Sequence, residues 1–252
     1  MSGVALVTGG QQGIGFAIAQ TLVDAGYGVA IASLPAADDP VVTAAIRALG
    51  KDAHYFSYNL ADITGVEHLL DQVEAQLGPI TTLVNNAGIG SPVRRDVLQV
   101  DPSAFDSVMN VNLRGTFFLS QAVAQRMCGQ DDDRYRSIVF ISSVSAEMVS
   151  IERAEYCMSK AGVAMMAQVF ATRLAPRDIG VFDLRPGIIA TEMTAGVKDK
   201  YTTRIEEGLV PAQRWGTPHD IAATVLPLVT GQMRFASGAT IPVDGGLSIP
   251  RL

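Results

Sequence analysis

The stretch EYCMSK, residues 155–160, contains a tyrosine and a lysine whose spacing allows them to act together. Tyr156 lies four positions before Lys160, and none of the other tyrosines in the chain has a lysine at this spacing. Residues four apart share one face of a helix. A neighbouring ammonium favours the phenolate and lowers a phenol's pKa from about 10, which suits proton exchange with a carbonyl oxygen. The alternative is an ordinary half-buried tyrosine beside a surface lysine.

A glycine-rich turn near the start of the chain offers a place for a phosphate. The stretch TGGQQGIG, residues 8–15, contains Gly9, Gly13 and Gly15. Without Cβ atoms the backbone can turn tightly and approach a pyrophosphate at a helix N-terminus. Glycines at this spacing can also form a plain turn. Their position between the first predicted strand and the first predicted helix favours a dinucleotide site.

The end of the second predicted strand should distinguish the two nicotinamide dinucleotides. An acidic residue there would bind the ribose 2′-hydroxyl, and an arginine would favour a 2′-phosphate. Ser33 and Leu34 occupy these positions, so neither signal is present. The lack of a carboxylate at Ser33 favours NADP slightly, but Asp38 and Asp39 follow closely and leave NAD open.

Short apolar runs alternate with stretches of helical periodicity along the whole chain. Apolar strands alternating with helices predict an α/β fold: a doubly wound, Rossmann-like parallel sheet of about seven strands, in one domain over residues 1–252. The segment 191–217 is polar and interrupted, which suggests a substrate lid. Strands are predicted at 4–10, 28–33, 53–60, 80–88, 137–143, 180–187 and 238–246. Helices are predicted at 13–26, 39–50, 63–78, 103–128, 154–175 and 221–231.

Composition and charge exclude several classes of function. The net charge is −6 without a basic stripe, which argues against a nucleic-acid partner. The three histidines lack metal-ligand spacing, so we expect no metal site. No apolar run is long enough for a membrane span, and no secretory signal is visible. With two cysteines, the chain is expected to be cytoplasmic.

Five motifs in order carry a resemblance to a known family: TGGQQGIG, NNAG (85–88), ISS (141–143), YCMSK (156–160) and RPG (185–187). Together they resemble the short-chain dehydrogenase/reductase family, in its type of about 250 residues, from residue 4 to about 247. The resemblance implies a Rossmann-like sheet, a nicotinamide cofactor and hydride transfer between an alcohol and a ketone.

The resemblance also implies a catalytic set of Asn112, Ser143, Tyr156 and Lys160. In it Ser143 polarises the substrate oxygen, Asn112 holds a water that relays protons, and Lys160 binds the nicotinamide ribose. Asn110 and Ser142 are the competing positions, and Ser145 is a possible substrate contact. The implied cofactor-binding residues are Gly9, Gln12, Gly13, Ile14, Gly15, Ser33, Leu34, Asn59, Leu60, Asn86, Ala87, Gly88, Tyr156, Lys160, Pro186, Gly187, Ile189 and Thr191.

Two of these positions carry specific expectations. Many relatives have an acidic residue at the end of the third strand, where this chain has Asn59, whose side-chain oxygen can still accept from the adenine amine. Thr191 and the backbone of Ile189 are expected to hold the nicotinamide carboxamide.

The substrate stays open between two classes. Segments such as RWGTP and VDGG resemble 3-oxoacyl carrier-protein reductases, so a 3-oxoacyl thioester is one class, and a polyol or sugar is the other. Glu147, Glu152 and Glu155 disfavour an acidic carrier protein, whereas three arginines could supply a docking surface: Arg94, Arg95 and Arg114. A non-catalytic dinucleotide-binding protein is a remote alternative. The family usually forms tetramers or dimers, through the helices predicted at 103–128 and 154–175.

Overall fold

A single sheet of seven parallel strands organises the computed structural model, which describes residues 2–251. The strands run in the order β3-β2-β1-β4-β5-β6-β7. This order reverses between β1 and β4, which makes the carboxyl ends of those strands the place where such sheets bind ligands. The strands are β1 (Val4–Thr8), β2 (Gly28–Ser33), β3 (Ala53–Ser57), β4 (Thr82–Asn85), β5 (Arg136–Ile141), β6 (Ile179–Pro186) and β7 (Thr240–Val243).

Helices cover both faces of the sheet, which confirms the predicted doubly wound α/β architecture. The helices are α1 (Gly13–Asp24), α2 (Pro40–Leu49), α3 (Val66–Leu77), α4 (Pro102–Met109), α5 (Thr116–Gly129), α6 (Ala154–Leu174), α7 (Glu192–Ala195), α8 (Lys198–Glu206) and α9 (Pro218–Val229). None of the helices in residues 2–251 has the length and apolar character needed to cross a membrane.

Two apolar cores lie on opposite sides of the sheet. One packs α3, α5 and α6 against it, with Leu70, Val123 and Phe170 among the buried side chains. The other packs α1 and α9 against the opposite face, around Ile18 and Val225. Strands β1, β2, β5 and β6 are buried along their entire length, as expected when helices cover both faces of a parallel sheet.

The helix predicted over 103–128 is wrong in one respect, because the chain forms two α-helices there with a π-helical turn between them. The turn covers Asn110–Gly115. It lies where Gly115 approaches the carbonyl oxygen of Leu60 so closely that an added Cβ would come within 1.9 Å of it. Insertions of this kind are frequent at functional sites. Here the turn carries Asn112.

The segment predicted as a lid contains α7 and α8. Ile205 and Val210 pack with Leu247 in a small apolar cluster that is separate from the two main cores. The rest of the segment is largely exposed. The segment is therefore held to the molecule by a much smaller apolar contact than the helices that cover the sheet.

Candidate active site

A cavity of about 940 Å³ opens at the carboxyl ends of the strands, on both sides of the point where the strand order reverses. Loops after β1, β2, β4, β5 and β6 line it, together with the first turn of α6 and residues from 186 to 209. Most of the predicted site residues lie in its wall. These are Gly9, Gln12, Gly13, Ile14, Ser33, Leu34, Asn59, Leu60, Asn86, Ala87, Gly88, Ser143, Tyr156, Lys160, Pro186, Gly187, Ile189 and Thr191.

The glycine turn has the backbone that a pyrophosphate requires. Gly9 and Gly13 adopt positive φ angles of 66° and 54°, which only glycine adopts without strain. No side chain caps the N-terminus of α1, and its first turn has no acidic residue, so its positive end is free for an anion. The turn therefore fits a dinucleotide. Gly15 does not line the cavity, because it packs on Gly9, whose carbonyl oxygen would lie 2.2 Å from an added Cβ.

The NNAG motif fastens this turn to the centre of the sheet. The hydroxyl of Thr8 accepts hydrogen bonds from the N–H groups of Asn86 and Ala87, each at 3.0 Å. The Asn86 side chain donates to the carbonyl oxygens of Thr8 at 2.9 Å and Gly9 at 3.2 Å. The motif thus sets the position of the turn as well as lining the cavity.

The part of the cavity formed by the loops after β2 and β3 is polar. Tyr55 donates its hydroxyl to the carbonyl oxygen of Pro35 at 2.6 Å and lies 2.9 Å from the Ser33 hydroxyl. The side-chain oxygen of Asn59 accepts from the N–H of Ala61 at 3.0 Å, which leaves one lone pair for another donor. Within residues 2–251, none of the lysines and arginines that line the cavity belongs to these two loops, which carry Ser33, Leu34 and Asn59.

Tyr156 and Lys160 face the same cavity from the N-terminal part of α6. The Lys160 ammonium lies 5.8 Å from the centre of the Tyr156 ring and donates to the carbonyl oxygen of Ile141 at 2.9 Å. Ser143 stands at the end of β5, where its hydroxyl accepts from the N–H of Ser145 at 3.0 Å. A phenol, an ammonium and a hydroxyl therefore converge on one wall.

Burial controls the protonation of this pair. It lowers the pKa of Lys160 to about 8, and the charge of Asp183 acts in the opposite direction. Burial also raises the pKa of Tyr156, against the effects of the Ser143 hydroxyl and the Arg153 guanidinium. The lowered phenol pKa that the Tyr156–Lys160 spacing predicts is therefore wrong for the resting chain, in which the phenol is protonated and able to donate to a carbonyl oxygen.

Asn112 is buried below the cavity wall by the π-helical turn. Its side-chain oxygen accepts from the N–H of Ile89 at 2.8 Å, and its amide donates to the Ile89 carbonyl at 2.9 Å and to the Ser159 hydroxyl at 3.0 Å. A Cβ added to Gly88 would lie 3.2 Å from the Asn112 oxygen and 3.5 Å from the Lys160 nitrogen. Gly88 therefore lies next to both the Asn112 side chain and the Lys160 ammonium.

A buried ionic network lies behind Ser142. Asp183 on β6 accepts from the Ser142 hydroxyl and from the Arg185 guanidinium, the latter at 2.8 Å. The Arg185 guanidinium also forms an ion pair with Glu147 on the loop after β5. The network ties β6 to the loop that carries Ser143.

Thr191 lies next to the glycine turn, 3.6 Å from a Cβ added to Gly13. The Thr194 hydroxyl accepts from the Thr191 N–H at 3.0 Å and donates to the Ile189 carbonyl at 2.8 Å. These bonds fix the entry to α7.

Sequence reasoning missed three cations that line the same cavity, Arg153, Lys200 and Arg204, and it named a fourth, Arg94, only as part of a docking surface. Arg153 could have been noticed from its place three residues before Tyr156, whereas Lys200 and Arg204 reach the cavity only through the fold of the segment after β6. Within residues 2–251, no group of histidine, cysteine and acidic side chains could hold a metal ion.

Comparisons with known proteins agree with this geometry. Residues 9–248 match the family model described as enoyl-(acyl carrier protein) reductase. A 3-oxoacyl-[acyl-carrier protein] reductase from Brucella melitensis, solved in complex with NAD, is 47% identical with a TM-score of 0.94, over 99% of this chain and 98% of that chain. The 3-oxoacyl-[acyl-carrier-protein] reductase MabA of Mycobacterium tuberculosis is 33% identical over 97% of this chain and 92% of the relative. A structure from Agrobacterium tumefaciens, described as a candidate gluconate dehydrogenase, is 27% identical with a TM-score of 0.89, over 98% of this chain and 96% of that chain.

The chain therefore belongs to the short-chain dehydrogenase/reductase family. It is an NAD(P)-dependent oxidoreductase that interconverts a ketone and a secondary alcohol, and the prediction from the five motifs is confirmed.

Proposed function

We propose that this chain reduces the 3-oxo group of a 3-oxoacyl compound to the 3-hydroxyacyl product. The observation that carries the proposal is the convergence of Tyr156, Lys160 and Ser143 on the wall of a cavity that also contains the glycine turn. The names of the Brucella and Mycobacterium relatives support the 3-oxoacyl class. A carrier-protein thioester is the form in which those relatives are named to act.

The proposed catalytic set is Asn112, Ser143, Tyr156 and Lys160. Tyr156 donates a proton to the carbonyl oxygen, which the Ser143 hydroxyl polarises. Lys160 supplies a positive charge beside the phenol and eases the loss of its proton. Asn112 orders the polar groups next to Lys160, through the bonds to Ile89 and Ser159. When bound, the nicotinamide ring supplies the hydride to the carbonyl carbon.

The glycine turn and the first turn of α1 are proposed to hold the pyrophosphate of the cofactor, as the free helix N-terminus suggests. A 2′-phosphate is normally met by an arginine or another cation. Because the loops after β2 and β3 place no cation in the cavity wall, we infer that NAD binds more tightly than NADP, against the slight preference drawn from the sequence. Paired titrations with NADH and NADPH test this point.

The test of the function is a substrate panel with the tighter cofactor. It compares a 3-oxoacyl thioester, a free 3-oxo acid, a ketose and a polyol, with oxidation measured for the alcohols. Turnover of the 3-oxoacyl compounds far above that of the polyol and ketose would support the proposal. Turnover of the polyol alone would overturn it.

A second candidate is dehydrogenation of a sugar acid. The Agrobacterium neighbour described as a candidate gluconate dehydrogenase favours this second function, since gluconate is a sugar acid with hydroxyl groups that can be oxidised. Gluconate is therefore added to the panel.

Two further proposals concern the state of the molecule. We infer that it works in the cytoplasm, as its two cysteines suggest, and both are free in the structure. We also infer a homodimer or homotetramer, which the apolar outer face of α6 supports.

A further inference from the structure

The cavity contains a set of cations that the catalytic residues do not explain. They are Arg94, Arg153, Lys200 and Arg204, and none of them is within 4.0 Å of a carboxylate in residues 2–251. The chain as a whole is acidic, with a net charge of −6. Two carboxylates, Glu152 and Glu192, also line the cavity but pair with none of the four.

Of these four cations, Arg153 is the one whose contact with Tyr156 is seen. Its guanidinium carbon lies 5.3 Å from the centre of the Tyr156 ring, within the range of a cation–π contact. Its Nε atom donates to the Ser150 hydroxyl at 3.4 Å, and no other hydrogen bond holds the guanidinium within the described chain. Arg153 ends the short 3₁₀ turn Ile151–Arg153, which leads directly into α6. Its position relative to Tyr156 is therefore fixed by the start of one helix.

A half-buried guanidinium with unused N–H groups is an anion site. Its planar fork matches a carboxylate, with which it forms two parallel hydrogen bonds. Because Arg153 contacts Tyr156, an anion bound there lies only a few bonds from the carbonyl that Tyr156 protonates. The ligand of Arg153 must therefore carry a negative charge, and that charge must lie only a few bonds from the carbonyl. A neutral thioester has no charge at that distance, and the phosphate of a carrier arm is many bonds further away. A carboxylate on the substrate itself meets both requirements.

We propose that Arg153 is a specificity-determining residue that binds the carboxylate of an oxo acid while Tyr156 protonates its ketone. The inference rests on ketone reduction at Tyr156 as proposed above, and it identifies the free acid as the preferred form of the 3-oxoacyl substrate. Hydride reaches the carbonyl carbon from NAD(P)H and the proton reaches oxygen from Tyr156, so the product is the hydroxy acid. Arg153 changes neither its bonds nor its charge. Arg94, Lys200 and Arg204 add a positive field at the entrance, which raises the local concentration of anions.

The test compares each acid with its own neutral ester. The probes are acetoacetate and 3-oxohexanoate, their methyl esters, and acetoacetyl-CoA as the thioester, with the full-length protein and saturating reduced cofactor. We expect kcat/KM for each acid to exceed that for its ester by about 100-fold or more. Losing one partner of a buried charge pair usually lowers affinity by about this factor. Higher salt should lower kcat/KM for the acids and leave the values for their uncharged methyl esters unchanged.

Variants at Arg153 locate the effect. Arg153→Met should lower kcat/KM for the acids by about 100-fold, mainly through KM, and should lower it by a much smaller factor for the esters, for which only the charge beside Tyr156 is lost. Arg153→Lys should restore part of the loss, since it keeps the charge without the planar fork. Arg47→Met, at an exposed position of α2 away from the cavity, is the matched control and should leave all values unchanged. Cofactor affinity and thermal midpoint confirm that each variant is folded.

Four outcomes would overturn the inference. Equal turnover of acids and esters by the unaltered protein would do so, as would an Arg153→Met variant that lowers acids and esters alike. A preference for acetoacetyl-CoA would overturn the free-acid inference and leave the 3-oxoacyl function standing. No turnover of any 3-oxoacyl probe would overturn the proposed function together with the inference.

Discussion

Tyr156 is the residue on which the chemistry depends most directly. Replacing it with phenylalanine removes the hydroxyl and keeps the ring that packs beside Arg153 and Lys160. We expect Tyr156→Phe to lower kcat by about 10²–10⁴-fold, the usual effect of losing a general acid, and to keep cofactor affinity within about threefold. Stopped-flow turnover and cofactor titration measure the two quantities. Tyr135→Phe, a tyrosine outside the cavity, is the control; near-normal turnover in Tyr156→Phe would contradict the assignment.

The protonation of Lys160 predicts the alkaline limit of activity. Burial lowers its pKa to about 8, so the ammonium, and with it the support for the phenolate, is lost as pH rises through that value. We therefore expect the rate of ketone reduction to fall above about pH 8.

Asp183 supplies the matching variant for this pH profile. Its negative charge raises the pKa of Lys160, so Asp183→Asn should lower that pKa further and move the alkaline limb to lower pH. The asparagine keeps the size of the side chain and can still bond to Ser142. Asp178→Asn, which removes an ion pair with Arg234 at the surface, should leave the limb in place. The measurement is kcat between about pH 6 and pH 10, and an unmoved limb in Asp183→Asn would refute the coupling.

Some site residues could be predicted from a short stretch of sequence, whereas others come together only when the chain folds. Tyr156 and Lys160 could be predicted because a single helical spacing carries both, and the glycine turn because its residues are contiguous. Arg153 lies on the turn before α6, whereas Lys200 and Arg204 lie on α8, and these two segments share a cavity only after the chain folds. No spacing in the sequence encodes that proximity. Asp183 is another such case, since it reaches Ser142 across the neighbouring strand.

At the scale of elements, the π-helical turn between α4 and α5 sets the position of Asn112. Gly115 has the Leu60 carbonyl oxygen where its Cβ would be, so Gly115→Ala must displace either the turn or Leu60, which lines the cavity. We expect Gly115→Ala to cost about 1–3 kcal/mol in the free energy of unfolding and to weaken cofactor binding. Urea denaturation and cofactor titration measure these effects.

Gly129 provides the control at the other end of the same helix. An added Cβ there meets nothing within 4 Å. Gly129→Ala should therefore be neutral or stabilise by up to about 1 kcal/mol, because alanine is the better helix former. If Gly115→Ala behaved like Gly129→Ala, the close approach to Leu60 would have no energetic weight.

The lid proposal concerns the segment 191–217. Its only apolar anchor outside the two main cores is the small cluster of Ile205, Val210 and Leu247, so it should open at a lower free energy than the sheet. We expect amide hydrogen exchange in this segment to slow when cofactor and a product acid are bound, with little change in α9. Equal exchange with and without ligands would show that the segment does not close.

The elements themselves were largely predictable, and the exceptions have a physical cause. Five of the seven strands lie within the predicted segments, and β5 and β6 each begin one residue earlier, because apolar runs bounded by glycine or polar residues are local signals. The break at Asn110–Gly115 is not visible in the apolar pattern of 103–128, since it depends on how closely Leu60 approaches. The helices α7 and α8 were missed because their sequence is polar and short.

For the whole molecule, α6 presents an apolar outer face that the single chain does not cover. Met158, Met165 and Val169 lie at helical spacing on this face and are 48%, 58% and 55% exposed. Since the inner face of α6 packs in the core, the outer face is suited to a second copy of the chain.

A charge on this face should therefore dissociate the assembly. We expect Met165→Glu to shift the molar mass from that of a dimer or tetramer toward the monomer, because a carboxylate would be buried in the contact. Val41→Glu, an equally drastic change at a 44% exposed valine of α2, should leave the mass unchanged. Light scattering after size exclusion distinguishes the two, and an unaltered mass for Met165→Glu would place the contact elsewhere.

The helix α6, 21 residues long, thus carries both the proton donor Tyr156 and the proposed contact between copies. If association of two copies makes α6 more rigid and thereby raises the affinity for the dinucleotide, then by thermodynamic reciprocity the dinucleotide must strengthen the association by the same factor. Nucleotide affinity would then depend on enzyme concentration, and dilute assays would report weaker binding than concentrated ones.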